Sequence, residues 1–444
     1  MTMKKPKLNI VTLGCSKNKV DSERLAASLS HRYDIVHESE KKSDIVIINT
    51  CGFIGDAKEE SIDTILEYAE LRRAKKIKRL YVTGCLSQRY RKDLQEEIHE
   101  VDGFYGVESV QMIAKDILTQ ESADSETLRL CDSVSYNHER VLSTPEHYAY
   151  LKIAEGCDRR CSYCAIPLMT GGYRSRNQED IINEAKYLIS RGVKEIQLIA
   201  QDLTYYGMDK SGVSTIADLT KRLSDLDGLE WIRLHYAYPA AFPEDVIEVM
   251  AREKKICKYL DIPFQHISDN QLSAMKRRHT KEEALMLIKK LRTAIPDIAL
   301  RTTLLVGYPT ESDADFAELV EFVRETKFDR LGVFAYSEEE GTYSATRLSD
   351  DVPEQTKQER VDAIMRLQER ISLENNAKRI GQKMRVIIDR KEGDFYIGRS
   401  EYDSPEVDQE IIVESFGKRL YRGRFYNVAI TDAEDYDLYA EILL

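Results

Sequence analysis

Three short apolar runs open the chain, at residues 8–14 (Leu-Asn-Ile-Val-Thr-Leu-Gly), 44–50 and 79–84. Their length and β-branched content predict buried strands. The stretches 21–31 and 59–73 between them predict helices. Alternation at this spacing predicts an N-terminal parallel α/β sheet domain over residues 1–121. Residues 122–142 are polar and irregular and read as a linker.

From residue 148 the pattern restarts and repeats six times. The predicted strands are 149–154, 195–200, 230–235, 258–262, 298–305 and 331–336. The predicted helices are 178–191, 214–225, 243–253, 281–294, 313–326 and 354–376. Six βα units predict a partial, open (β/α)6 barrel over residues 143–374, with its chemistry at the C-terminal ends of the strands. A doubly wound sheet has the same periodicity and stays open at this point. Residues 376–444 change texture, with short runs at 384–389, 395–400, 410–414 and 426–431. These predict a small antiparallel β-barrel of OB-like kind.

The 444 residues are 42% hydrophobic and 32% charged, which fits a globular protein. No run approaches the roughly 18 apolar residues of a membrane span, and the basic start lacks a signal-peptide core. The expectation is a cytoplasmic protein with no membrane partner. The net charge of −12 disfavours a large nucleic-acid partner and favours a basic one.

Cysteine patterning adds the chemistry. The segment 149–167 reads as a strand, a glycine and a compact loop carrying Cys157, Cys161 and Cys164. Spacings of three and two let one strand end wrap a cubane and supply three thiolates. One iron then lacks a protein ligand, as a catalytic metal requires. A structural zinc site prefers four ligands, and no fourth Cys or His follows nearby. Three buried free thiols are the remaining alternative.

Cys15, Cys51 and Cys85 lie 36 and 34 residues apart, each directly after a predicted strand. A parallel sheet brings consecutive strand ends to one edge, so these three converge and make a second three-cysteine cluster site. Gly14, Gly52 and Gly84 beside them permit close backbone approach. Three small buried strand-end residues are the plainer reading. Cys131 and Cys257 fit neither set.

The Cys-x-x-x-Cys-x-Tyr163-Cys segment resembles the radical-SAM superfamily motif. With Leu13-Gly-Cys-Ser-Lys-Asn-Lys-Val-Asp-Ser22, Asn49-Thr-Cys-Gly-Phe53 and Gly84-Cys-Leu86, essentially the whole chain resembles the methylthiotransferase family. The resemblance implies a cluster domain, a radical-SAM core and a C-terminal TRAM domain. It implies two 4Fe-4S clusters and two molecules of S-adenosylmethionine. One supplies a methyl group to sulfur at the N-terminal cluster. The other yields a 5′-deoxyadenosyl radical, and the substrate carbon radical captures the methylthio group. A low-potential electron donor such as flavodoxin or ferredoxin and a sulfur donor are implied as partners. Two positions depart from the family: Thr170 stands where Arg is usual, with Arg174 nearby to take its place, and Thr310 stands where Gly is usual.

The family has one branch that modifies adenosine in transfer RNA and another that modifies the β-carbon of an aspartate in ribosomal protein S-twelve. Gly14–Glu23, Leu234–Pro239 and Gly398–Asp408 resemble the second branch. The last domain, from residue 376, holds 11 Lys and Arg against 14 Asp and Glu, which suits a basic protein partner. Arg419, Arg422 and Arg424 still make a local basic group there. Tyr163, Gly307, Gln201 and Arg301 are the candidates for S-adenosylmethionine, with His235 and Gln265 as further polar residues expected at strand ends. A non-catalytic iron–sulfur carrier or sensor is the remaining reading.

Overall fold

A computed structural model describes residues 5–37, 43–121 and 139–443. Most of the expected linker, and Cys131 with it, lies outside the described residues. The chain divides into two compact units. The first is Met1–Thr144 with Glu155–Asp158 and Ala165–Tyr173, and the second is the remainder.

The first unit runs β1 (Lys7–Thr12), α1 (Ser16–Leu29), β2 (Asp34–His37), β3 (Ile45–Thr50), α2 (Gly55–Arg73), β4 (Arg79–Gly84), α3 (Cys85–Arg89), α4 (Arg91–Glu97) and β5 (Gly103–Phe104), followed by the helix Val110–Glu121. The strands are parallel, in the order β2-β1-β3-β4-β5. All six residues of β3 are buried, which is why it reads as an unbroken apolar run. Ile47 packs with Leu25 and Ile113 on one face, and Ile48 with Ile65 and Leu80 on the other. The edge strands β2 and β5 escape the sequence pattern. One is short with an exposed start, and the other is two residues long.

The second unit holds six parallel strands: β6 (Tyr148–Lys152), β7 (Glu195–Ile199), β8 (Trp231–Leu234), β9 (Ile256–Asp261), β10 (Ala299–Val306) and β11 (Arg330–Ala335). Their spatial order follows the chain from β6 to β11 without reversal. A doubly wound sheet reverses at its switch point, so the (β/α)6 alternative is the one realised.

Five further strands, β12 (Lys383–Glu392), β13 (Phe395–Arg399), β14 (Glu410–Glu414), β15 (Phe425–Ala433) and β16 (Asp437–Ile442), form a closed barrel. The expected antiparallel barrel needs one correction: β14 and β16 pair in parallel. Closing an odd number of strands into a ring makes at least one parallel pair unavoidable.

The loop between β13 and β14 touches every strand of the six-stranded sheet. Arg399, at its entrance, bonds Glu195 on β7 at 2.7 Å. The carbonyl of Glu401 accepts from Arg233 on β8 at 2.6 Å, and its carboxylate from the Lys258 amide on β9 at 3.2 Å. Asp403 accepts from Arg330 on β11 at 3.1 Å. Glu406 accepts from Tyr148 on β6 at 2.9 Å, and Asp408 pairs with Arg301 on β10 at 3.3 Å. Most of these contacts are to the first half of a strand, so the loop plugs the amino-terminal end of the sheet.

Candidate active site

In the first unit, the ends of the adjacent strands β1, β3 and β4 present Cys15, Cys51 and Cys85 in turn. The loops that carry them are in direct contact. A Cβ on Gly14, whose φ is +87°, would lie 3.0 Å from Cys51 Sγ. A Cβ on Gly52 would lie 2.7 Å from the Leu86 amide, at the start of α3 beside Cys85. Only glycine fits so close an approach.

Side chains behind the loops fix them. The Asn18 amide donates to the carbonyls of Leu13 at 2.9 Å and Thr50 at 3.0 Å. Asn49 donates to the Asn18 carbonyl at 3.0 Å and to Ser22 at 3.0 Å. Ser61 on α2 holds both backbone groups of Cys51 at 3.0 Å. Burial pushes the Cys85 thiol up to about 12, and the neighbouring Cys15 and Cys51 sulfurs push the same way. Burial raises the Cys51 thiol too. Thiols raised in this way release their protons on binding a metal.

The second set follows β6. The Cys157 amide donates to the Gly171 carbonyl at 3.1 Å. The Cys164 amide closes a turn on the Cys161 carbonyl at 3.1 Å. Between them Ser162 is pinned on all sides. Its amide donates to the Met275 carbonyl at 3.0 Å, its hydroxyl lies 2.8 Å from Tyr308 Oη, and its carbonyl accepts from the Ser344 amide at 2.9 Å. Cys161 Sγ has two polar neighbours, Arg277 Nη1 at 3.3 Å and Tyr238 Oη at 3.9 Å.

All six cysteines are half-buried and free of disulfides. Among the described residues, no three His, Cys, Asp or Glu side chains are grouped to hold a single metal ion. In a cubane each thiolate binds its own iron, so its ligands need not converge on one point. Three thiols on backbone fixed by hydrogen bonds, with an arginine N–H donor beside one sulfur, fit an iron–sulfur cluster.

The other expected residues fall in different places. Tyr163 packs edge-on against Tyr308, and burial raises its hydroxyl pKa. Gln201 follows β7, half-buried. Gly307 ends β10 with φ +69°, and its amide donates to the Glu311 carboxylate. Gln265 takes φ +71° and bridges to Leu304. Arg301 lies early in β10, not at its carboxyl end, and is ion-paired with Asp261 and Asp408. His235 is buried, 2.7 Å from Gln197 and 3.4 Å from Ser404 of the plug loop. Thr170 ends a short helix with its hydroxyl on the Ile166 carbonyl at 3.1 Å, while Arg174 is exposed. Thr310 takes a positive φ of +74°, a conformation that glycine adopts readily.

Comparison with known proteins assigns the segments. Residues 151–323 match the Radical SAM superfamily, 7–106 Uncharacterized protein family UPF0004, and 380–443 the TRAM domain. The ribosomal protein uS12 methylthiotransferase RimO of Bacteroides thetaiotaomicron is 52% identical over 443 residues, covering 99% of both chains. The Porphyromonas gingivalis RimO is 51% identical over 99% of this chain and 100% of its own. The chain belongs to the RimO family.

As a RimO-family member it is a radical-SAM enzyme, a class that implies a 4Fe-4S cluster and S-adenosylmethionine. Among solved structures, the radical S-adenosylmethionine methyltransferase TsrM of Kitasatospora setae matches with a TM-score of 0.53 at 14% identity, over 74% of this chain and 75% of that one. That likeness shows the fold alone.

Asn18, Tyr238 and the plug lie in segments that carry the family resemblance but whose pattern gave them no structural role, and Arg277 lies in none of them. Arg277 lies in the basic run Met275–His279, which reads as a solvated charge cluster. The only signal was the adjacent Met275 and His279, both buried like Arg277 while Lys276 and Arg278 are exposed. The plug also alters the charge argument. Asp403 and Asp408 neutralise Arg330 and Arg301 internally, and so do not present an acidic surface to a partner.

Proposed function

We propose that this chain adds a methylthio group to the β-carbon of an aspartate in ribosomal protein uS12. The near full-length identity to RimO proteins carries this reading. Two separate three-thiol sites on one chain support it, because sulfur insertion needs both a radical source and a place to hold sulfur.

Cys157, Cys161 and Cys164 would hold the radical-SAM cluster, and Cys15, Cys51 and Cys85 would hold a second cluster. When bound, these clusters and two molecules of S-adenosylmethionine supply the electron, the radical and the methylated sulfur. The chain's own residues position them. Ser162 fixes the ligand loop through three partners. Tyr163 and Gln201 face S-adenosylmethionine and Gly307 lies beside them, whereas Arg301, ion-paired with Asp261 and with Asp408 of the plug loop, braces the opposite end of the sheet. Asn18 and Asn49 keep the second ligand set in register.

The cluster domain spans 1–121, the radical-SAM core 143–374 and the TRAM domain 376–444, with 122–142 as linker. A reductant such as flavodoxin or ferredoxin and a sulfur donor complete the system, which works in the cytoplasm. Among the described residues no helix is long and apolar enough to cross a membrane.

The test is mass spectrometry of uS12 after incubation with reconstituted, reduced protein, S-adenosylmethionine and sulfide, with transfer RNA in a parallel tube. A gain of about 46 Da, the replacement of H by SCH₃ at an aspartate, is expected. A gain on adenosine, with uS12 unchanged, would overturn the assignment.

A further inference from the structure

Arg277 is a buried cation without a carboxylate. Its side chain is only 3% exposed. Nη2 donates to the Pro263 carbonyl at 2.5 Å, and the guanidinium lies 4.3 Å from the Tyr238 ring. Nη1 points at Cys161 Sγ at 3.3 Å and at Tyr163 Oη at 3.4 Å. Nε has no hydrogen-bond partner among the described residues. No described Asp or Glu makes an ion pair with it, whereas the other deeply buried arginines do: Arg233 and Arg399 share Glu195, and Arg140 has Glu23.

Burying an unpaired charge is costly, and proteins pair such charges or neutralise them. An arginine cannot neutralise itself by losing its proton. It therefore needs an anion, and the atom it addresses is a cluster-ligand sulfur. We propose that Arg277 is the counter-ion of the radical-SAM cluster, donating an N–H···S bond to Cys161 that favours the reduced state. This rests on the reading that Cys157, Cys161 and Cys164 hold that cluster.

The physical basis is charge. Taking up one electron from a low-potential donor makes the cluster with its thiolates one charge more negative. A fixed cation and a hydrogen bond at a ligand sulfur stabilise that added charge, and hydrogen bonds to sulfur are among the determinants of cluster potential. Arg277 thus makes electron entry easier through a ligand sulfur.

The test is an EPR-monitored redox titration of the full-length, anaerobically reconstituted protein. Wild type is compared with Arg277→Gln and Arg277→Lys, and iron and sulfide contents are measured on each. The signal that changes when S-adenosylmethionine is added identifies the radical-SAM cluster. Arg277→Gln is expected to load this cluster with a tenfold lower reduced-to-oxidised ratio at fixed potential, a shift of 59 mV for one electron. Arg277→Lys, which keeps the charge, is expected to fall between it and wild type. A loaded Arg277→Gln cluster with wild-type potential would overturn the proposal. So would unchanged potential with weakened S-adenosylmethionine binding, which would make Arg277 a ligand of that molecule instead. If Arg277→Gln does not load, Arg277→Lys decides: a lowered potential supports the proposal, and an unchanged one assigns Arg277 to assembly alone. Absence of any S-adenosylmethionine-sensitive signal in wild type would instead refute the ligand assignment itself.

Discussion

The Asn18 side chain donates to the carbonyl of Thr50 at 3.0 Å, tying the first turn of α1 to the residue before Cys51. The same amide holds Leu13, two residues before Cys15. One side chain thus sets the separation of two cysteine loops. Asn18→Ala leaves two carbonyls without their donor, at a cost of about 1–3 kcal/mol for each one left buried. The expected outcome is loss of roughly half the iron on reconstitution, with S-adenosylmethionine cleavage retained and methylthio product lost. Iron assay and product mass spectrometry check it. Full iron loading in Asn18→Ala would count against this role.

Arg399 bridges the buried carboxylate of Glu195 and the half-buried one of Asp389. Removing one partner of a buried ion pair costs about 3–5 kcal/mol, because the charge left behind has no water. Arg399→Met is expected to lower the unfolding free energy by that amount, read as a lower denaturant midpoint at unchanged slope. Arg390→Ala, which breaks the exposed pair with Glu410, is expected to cost about 0–1 kcal/mol. Denaturation curves on the two variants distinguish them.

Acid weakens the same network. Burial works to raise the Asp389 carboxyl, but Arg399 and His147 overcome it and hold it at about 2. Its folded pKa is therefore below its unfolded one, so its contribution is complete above about pH 4 and is lost as pH falls towards about 2. That contribution is about 2 kcal/mol. Burial also opposes ionisation of Glu195, and Arg399 and Arg233 outweigh it, so its loss has the same sign. Urea unfolding between pH 5 and pH 3 should show stability falling more steeply in wild type than in Asp389→Asn.

Thr310 holds φ at +74°, a conformation costly for a β-branched residue. Thr310→Gly relieves strain of about 1–3 kcal/mol and gives back up to about 1 kcal/mol in chain entropy. A net rise in thermal midpoint is expected, measured by calorimetry. A fall would mean that the Thr310 side chain contributes more than its backbone costs.

What the sequence made legible follows from locality. β3 is a continuous buried run, and the cysteines either share one loop or end three successive strands, so pattern and spacing reveal them. β2 begins with an exposed Asp34, and β5 is too short for any period to register. Arg277 was hidden because its partner, Cys161, lies 116 positions away, and a basic run ordinarily faces solvent. The acidic stretch 401–408 was hidden for the same reason: Asp403 reads as a solvated charge, yet its partner Arg330 comes from another domain of the chain.

The plug loop imposes an order on synthesis. The six strands that need it are complete by Ala335, but Arg399 and the carboxylates of the loop come later in the chain. A chain made from its amino end carries Arg330 into a nascent barrel whose counter-charge, Asp403, does not yet exist, while Glu195 has Arg233 but not Arg399, and Arg301 has Asp261 but not Asp408. The radical core is therefore finished from its own far end. A premature stop before residue 399 would remove no mere appendage: it would leave Arg330 without its carboxylate and the charge networks of Glu195 and Arg301 each one partner short.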